Sequence, residues 1–280
     1  KKETELEIEY TEIIAGAKIS FRGESYNLAG ITPFHTDQDR NTRKESYKAR
    51  FSFFDKNSKK LDDLYDRMVK LRTKTAKELG FKNYIELGYY RLGRTDYGSK
   101  EVANFRKQIV DYIVPLVQKL NEKKKTVLGL DHLYFYDGVL FKEGNPKPKA
   151  NPEEMVEFAK QMYNELSTET GTFFEMMVNE NLLDLVNRDG KMGGGFCTSF
   201  PKYERPYIFS NFNGTAHDVT VLTHEAGHAF QCYSSRKQPL LEYLWPTLEA
   251  CEIHSMSMEF FTWPWMDLFF KDETERFKYM

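Results

Sequence analysis

The chain is poor in cysteine, has no long apolar run and carries almost no net charge. Its 280 residues include only Cys197, Cys232 and Cys251, an odd number without Cys-x-x-Cys spacing, so we expect no disulfide framework. No stretch approaches the roughly 18 uncharged apolar residues that span a membrane, so we expect no membrane association. The formal net charge of -2 gives no bulk attraction to nucleic acid, which we exclude as a partner.

The start of the chain has no hydrophobic signal region, because its first five residues are Lys-Lys-Glu-Thr-Glu. Together with reduced cysteines, this absence predicts a cytoplasmic protein. The composition, 40% hydrophobic and 29% charged, is that of a soluble globular protein that can bury a sizeable core. These patterns leave the oligomeric state open.

The most informative segment is an H-E-x-x-H motif formed by His224, Glu225 and His228. Two histidines four residues apart lie on the same helix face and can ligate one zinc ion. Glu225 would lie beside the metal and take a proton from a metal-bound water, whose pKa falls to roughly 7 on zinc. The motif predicts a metallopeptidase with Glu225 as general base; the alternative is a buried helix whose two histidines stack incidentally.

The residues around the motif favour a helix. Asn213, Gly214 and Thr215 offer turn and N-cap residues before it. Apolar residues then recur at helical spacing, at Val219, Leu222, Ala226, Ala229 and Phe230.

A third metal ligand is required from elsewhere in the chain. The extended metzincin motif is excluded, because Gln231 and Ser234 occupy the positions of its glycine and third histidine. A glutamate, as in thermolysin, is the natural alternative.

The next predicted helix starts near Pro246 and Thr247 and offers several candidate ligands. At about 100° per residue, Glu249, Glu252 and Glu259 share one face and His254 points away from it. Helical geometry alone therefore leaves three carboxylates as candidates.

The segment from Glu252 to Glu259 resembles the E-x-x-S-x-x-x-E stretch of the thimet oligopeptidase and oligoendopeptidase F family of zinc metallopeptidases. In that family the first glutamate of the stretch is the third zinc ligand, which implies Glu252 here. Glu259 is then expected to orient a ligand histidine. The resemblance extends upstream through the glycines at 193–195 to about residue 182, and is closest to oligoendopeptidase F.

The resemblance also implies segments that this sequence does not contain. Chains of the family continue past the third ligand through a segment with histidine and tyrosines that stabilise the transition state. This sequence ends at Met280. We therefore expect a catalytic region that is incomplete at its C-terminus, with the oxyanion donor unassigned.

The predicted fold is mainly α, a multi-helix zincin-type metallopeptidase with a small β-rich element beside the active-site helix. Residues 1–150 are predicted as an N-terminal β-hairpin and helical region, with the first 35 residues rich in β-structure, and 151–280 as the zinc-binding catalytic region. The boundary lies in the Pro- and Gly-containing segment 143–151, where Asn151 can cap a helix. Residues 193–200 and 207–210 read as strands beside the motif helix; they could pair with an extended substrate or form an ordinary tight turn.

A second apolar pattern predicts a core-facing helix with a kink at Pro115. It contains Val102, Phe105, Ile109, Tyr112, Ile113, Leu116 and Leu120.

The sequence as a whole predicts a zinc-dependent endopeptidase with one Zn²⁺ ion held by His224, His228 and Glu252. The family resemblance implies short peptides as substrates and partners. Two alternatives stay open: a dipeptidyl carboxypeptidase of the same family, or a non-catalytic peptide-binding fragment that retains the zinc site.

Overall fold

A computed structural model of the chain describes residues 1–139 and 141–280. It contains two compact units: residues 1–25 with 34–144, and residues 26–33 with 145–280. Across the described residues, no helix combines the length and the apolar character needed to cross a membrane.

The first unit is built mainly from helices around one long helix, and a short hairpin joins its first two. Its ordered segments are α1 Lys2–Ala15, β1 Ile19–Phe21, β2 Glu24–Tyr26, α2 Thr32–His35, α3 Arg40–Glu78, α4 Tyr84–Arg91, α5 Ser99–Gln108 and α6 Val114–Leu128; α2 and β2 extend across the limits of the two units. A π-helical turn at Ile109–Ile113 joins α5 to α6 directly before Pro115.

The first 35 residues were expected to be β-rich; the structure has the hairpin of β1 and β2 there, but residues 2–15 form the helix α1. Leu6, Ile8 and Tyr10 alternate with polar residues as in a strand, but only Leu6 is buried. Ion pairs to α3 favour the helix instead, because Glu3 meets Arg72 at 2.7 Å. Helical spacing also places Glu7 beside Arg72, and Glu9 pairs with Arg67 of α3.

The apolar pattern of α5 and α6 does not lie in a core. Its members Phe105, Tyr112 and Leu116 are 63%, 73% and 52% exposed. The helix was predicted from the periodicity of its apolar residues, and that periodicity is present. The prediction that this stripe faces a core is wrong, because a stripe specifies a face and not what covers it.

A buried ion-pair cluster braces the first unit at the start of α3. The carboxylate of Asp137 accepts from Arg40 at 2.8 and 2.9 Å and from Arg43 at 3.2 Å. Burial opposes ionisation of Asp137, but these arginines and the backbone N–H of Tyr134 lower its pKa to about 2.

The second unit packs helices around a three-stranded sheet. Its elements are α7 Pro152–Leu166, α8 Thr168–Asn179, β3 Leu183–Val186, β4 Phe196–Phe200, β5 Arg205–Phe212, α9 His217–Ser235, α10 Cys251–Phe261, α11 Met266–Phe269 and α12 Glu273–Tyr279. The strand order is β3-β5-β4, with β3 parallel and β4 antiparallel to β5.

The core of this unit lies between the sheet and its helices. Its largest fully buried side chains include Tyr163, Phe173, Phe174, Ile208, Leu222 and Phe269. Asn151 caps α7 in a capping box with Glu154, as the sequence predicted. The mainly helical architecture with a small sheet beside α9 confirms the predicted fold class.

Amide hydrogen bonds join the segment 26–33 to the rest of the second unit. Nδ2 of Asn27 donates to Oδ1 of Asn187 at 2.8 Å, and Nδ2 of Asn213 donates to the Ala29 carbonyl at 3.2 Å. Asn213 lies in the turn before α9, so its bond to Ala29 helps to fix the start of that helix.

Candidate active site

Helix α9 carries the motif and begins after a tight turn that follows β5. Its first turn is held by Asp218, whose carboxylate accepts the backbone N–H groups of Asn213 at 3.0 Å and of Gly214 at 2.7 Å. Gly214 takes a positive φ of 84°, which glycine adopts without strain. The predicted turn is therefore present, but Ala216 occupies the N-cap position and no side chain caps the helix.

The two motif histidines lie side by side one turn apart on α9. Their ring centroids are 4.9 Å apart and the rings are nearly perpendicular. His228 is buried and His224 half-buried. Burial, followed by the neighbouring His224, lowers the pKa of His228, so its imidazole is neutral at pH 7. A neutral imidazole offers the lone pair that a metal requires.

Glu252 lies on α10 with one carboxylate oxygen facing both histidines. Oε2 of Glu252 is 3.2 Å from Nε2 of His224 and 3.5 Å from Nε2 of His228. Burial opposes ionisation of Glu252, but a hydrogen bond from Ser255 and the two histidines lower its pKa below the usual value. Its carboxylate is therefore ionised at neutral pH.

Glu259 holds the far side of the His224 ring. Its Oε1 lies 2.7 Å from Nδ1 of His224. A carboxylate accepts, so Nδ1 carries a ring proton, and the tautomer this contact favours leaves Nε2 as the nitrogen that can ligate a metal. Nε2 lies 3.2 Å from the carboxylate oxygen of Glu252, so both atoms face the same point between α9 and α10.

The donor set fits a catalytic zinc ion in composition and spacing. The ligand atoms of His224, His228 and Glu252 all lie within 4.8 Å of one another. Ligands about 2.1 Å from zinc at tetrahedral angles lie about 3.4 Å apart, close to the 3.2 and 3.5 Å found here. Two histidines and a glutamate are one of the standard sets for hydrolytic zinc.

Glu225 is buried beside this group and is only partly hydrogen-bonded. The backbone of Cys197 in β4 donates a hydrogen bond to its carboxylate. Its other oxygen, Oε2, is buried and has no hydrogen-bond partner among the described residues. Burial raises the pKa of Glu225 to about 6, Glu252 adds to the increase and His224 opposes it. A half-satisfied buried carboxylate is suited to exchanging a proton.

Strand β4 passes this carboxylate at the edge of the sheet. A Cβ at Gly195, directly before β4, would lie 3.6 Å from Oε1 of Glu225 and 3.2 Å from Cγ1 of Val221. The glycine-containing segment therefore runs close to α9. Within the described part of the chain, β4 pairs with β5 on one side and leaves its other edge unpaired by a strand.

The other sequence candidates lie outside the three-residue group. Helix α10 begins at Cys251 and not near Pro246, so Glu249 precedes it in a turn and the helical-face argument does not apply to Glu249. His254 meets α9 through its backbone carbonyl. His217 is the first residue of α9, two turns before the motif.

The cysteines are free thiols. Burial raises the pKa of Cys197, and raises that of Cys232 to about 11, so both stay protonated at neutral pH.

The sequence reasoning missed two features of the site. Strand β3 was not predicted, and the small residues Gly227 and Ser255 at the crossing of α9 and α10 were assigned no role. A glycine within an apolar helical pattern was the available signal, since such a glycine often marks a close approach.

A multi-helix fold with the motif on α9 and a glutamate on the following helix is that of a zincin-type metallopeptidase. Comparison with known proteins agrees. A sequence model described as peptidase family M3 matches residues 34–279, and the chain belongs to that family.

Individual relatives are similar over most of this chain. It is 26% identical over 238 residues to an oligoendopeptidase F homolog of Borreliella burgdorferi, covering 81% of this chain and 38% of that protein. It is 23% identical over 242 residues to the plasmid oligoendopeptidase F of Lactococcus lactis subsp. cremoris, covering 86% of this chain and 39% of that one.

A solved structure of PZ peptidase A with an inhibitor superposes with a TM-score of 0.97 at 53% identity, covering 99% of this chain and 49% of the other. The chain thus spans about two fifths of these curated relatives and about half of this solved structure.

Proposed function

We propose that the chain carries the zinc site of an endopeptidase that hydrolyses short peptides. His224, His228 and Glu252 would hold one zinc ion and Glu225 would act as general base. The observation that carries the proposal is the convergence of two histidine nitrogens on one oxygen of Glu252, within the spacing of zinc ligands. Membership of a peptidase family supports peptides as the substrate class.

Zinc, when bound, would polarise the scissile carbonyl and lower the pKa of a water molecule. Glu225 would accept the proton of the attacking water and deliver it to the leaving amine, using the oxygen for which the described residues provide no partner. Glu259 keeps His224 in the tautomer whose Nε2 can ligate. Ser255 holds the Glu252 carboxylate by donating to its Oε2 at 2.7 Å.

The edge of β4 would hold the peptide in an extended conformation. β4 pairs with β5 from Phe196 to Phe200, and Cys197 contacts the general base through its backbone. Main-chain hydrogen bonds to an edge strand place a substrate with little dependence on its side chains. The scissile bond would then lie beside Glu225.

We extend the proposal to the remaining expectations from sequence. Residues 151–280 form the catalytic region, the protein acts in the cytoplasm, and its partners are short peptides.

Metal analysis and peptide turnover test the proposal together. The purified chain should bind one equivalent of zinc, and His228→Ala should lose it. His217→Ala is the matched control, because His217 lies on the same helix but outside the ligand group. Zinc bound equally by the wild type and His228→Ala would refute the assigned site.

The products of a quenched fluorescent peptide separate the alternatives. An endopeptidase cleaves internally even when both peptide ends are blocked, whereas a dipeptidyl carboxypeptidase requires a free C-terminus and releases dipeptides. Zinc binding with no turnover above a Glu225→Gln control would identify a non-catalytic module instead.

A further inference from the structure

Helix α10 approaches helix α9 very closely at Gly227, the second variable residue of the motif. A Cβ at Gly227 would lie 2.8 Å from the His254 carbonyl oxygen, 2.8 Å from Cα of Ser255 and 2.9 Å from Cβ of Met258. The first two are backbone atoms, which move only if the helix moves. Glycine is a poor helix former, so its place inside α9 indicates a tertiary requirement.

Ser255 connects this contact to the site. It is fully buried on α10, its Cα faces Gly227, and its Oγ donates to Oε2 of Glu252 at 2.7 Å. Glu252 lies one turn earlier on the same helix. The distance between α9 and α10 at Gly227 therefore determines where the oxygen of Glu252 lies relative to His228.

We propose that Gly227 and Ser255 are positioning residues for the metal site: Gly227 sets the approach of α10, and Ser255 fixes the carboxylate of Glu252. The inference rests on the proposed zinc site and adds two residues that do not touch the metal. It also explains why the variable position before His228 holds glycine in this chain.

The size of the displacement decides the effect. Carbon atoms pack at about 3.5–4.0 Å, so an alanine at 227 would push α10 away by roughly 0.7 Å. Metal–ligand distances hold within about 0.2 Å. A displacement of that size carries Glu252 out of register with the two histidines of α9, while the histidines themselves stay in place.

Gly227→Ala tests the inference, with Gly171→Ala as a matched control. Gly171 is another glycine inside a helix of the second unit, and its Cβ would lie 2.9 Å from Cα of Asn164 on α7. Both variants introduce a methyl group against backbone, but only Gly227 borders the helix that carries Glu252. Zinc affinity is measured by competition with a chelator, and ligand geometry by the visible absorption of Co²⁺.

We expect Gly227→Ala to weaken zinc binding by about 10–100-fold, the usual effect of residues that support metal ligands, and to change the Co²⁺ spectrum. Gly171→Ala should lower the unfolding midpoint and leave the zinc affinity of the folded protein unchanged. Folded Gly227→Ala with wild-type affinity and spectrum would overturn the proposal.

Ser255→Ala keeps the test decisive if Gly227→Ala does not fold. It retains the backbone contact and removes only the hydroxyl that holds Glu252. We expect weaker zinc binding in the folded variant, and unchanged affinity would overturn the proposal.

Glu252→Ala separates the two hypotheses. If the wild type binds no zinc, or Glu252→Ala binds it normally, the proposed site itself fails. If Glu252→Ala loses zinc while Gly227→Ala and Ser255→Ala keep it, only the positioning inference fails.

Discussion

Nδ1 of His224 and Oε1 of Glu259 lie 2.7 Å apart, and this contact assigns different roles to the carboxylates of α10. Glu259 contacts the Nδ1 side of the His224 ring, whereas Glu252 faces the Nε2 atoms of both His224 and His228. In the proposed site, Glu259 therefore orients a ligand and Glu252 supplies one.

Removal of each carboxylate should distinguish these roles. Glu252→Ala removes a ligand and should release most of the zinc. Glu259→Ala leaves all three ligands and should weaken zinc binding by about 10–100-fold. Chelator competition measures both affinities. The roles would be reversed if the Glu259 variant lost more zinc than the Glu252 variant.

Glu225→Gln should separate metal binding from catalysis. The amide keeps the shape of the side chain but cannot accept the proton of the attacking water, so turnover should fall by about 10²–10⁴-fold. Zinc content should be unchanged, because Glu225 is not among the three proposed ligands. Near wild-type hydrolysis at equal zinc content would end the proposed mechanism.

Gly195→Ala should reduce turnover without removing the metal. Its new methyl group would lie 3.2 Å from Cγ1 of Val221, closer than carbon atoms normally pack, and 3.6 Å from the Glu225 carboxylate. Val221 lies one turn before Glu225 on α9, so we expect relief of the tight contact to change the position of the base. Gly193→Ala is the matched control in the same segment, because a Cβ there meets none of the described atoms within 4 Å. We expect kcat to fall several-fold only for Gly195→Ala; equal kcat values for the two variants would contradict the close contact.

Asp137→Asn should destabilise the first unit in a pH-dependent way. The pKa of Asp137 is lowered to about 2 from the ordinary 3.8, so the ionised side chain stabilises the fold above pH 4. This contribution, about 2 kcal/mol from the shift, is lost as the pH falls from 4 towards 2. The difference in unfolding free energy between wild type and variant should therefore be large at pH 7 and smaller at pH 3.

Asp111→Asn provides the control for that measurement. Asp111 forms an exposed pair with Lys107 one helical turn away in the same unit, and such pairs contribute at most about 1 kcal/mol. Urea unfolding should show little change for this variant at pH 7. A loss equal to that of Asp137→Asn would show that burial of the Asp137 cluster does not matter.

The site was predictable where chemistry and local periodicity coincide. The spacing of His224 and His228 follows from the helical repeat, and both do lie on one helix face. The capping box at Asn151 is likewise a local arrangement that neighbouring residues complete. Local patterns failed where the partner was distant, since residues 2–15 were included in a β-rich region and instead form a helix that is ion-paired to α3.

The sequence by itself determined the motif helix, the helical character of most of the chain and the family resemblance, because these depend on residues close together in the chain. It left Glu249, Glu252 and Glu259 as equal candidates by geometry. Only the tertiary structure brought Glu252 to the histidines and Glu259 to the far side of His224, because α10 crosses α9 at Gly227. That crossing depends on backbone packing between residues more than 25 positions apart, and no periodicity encodes it.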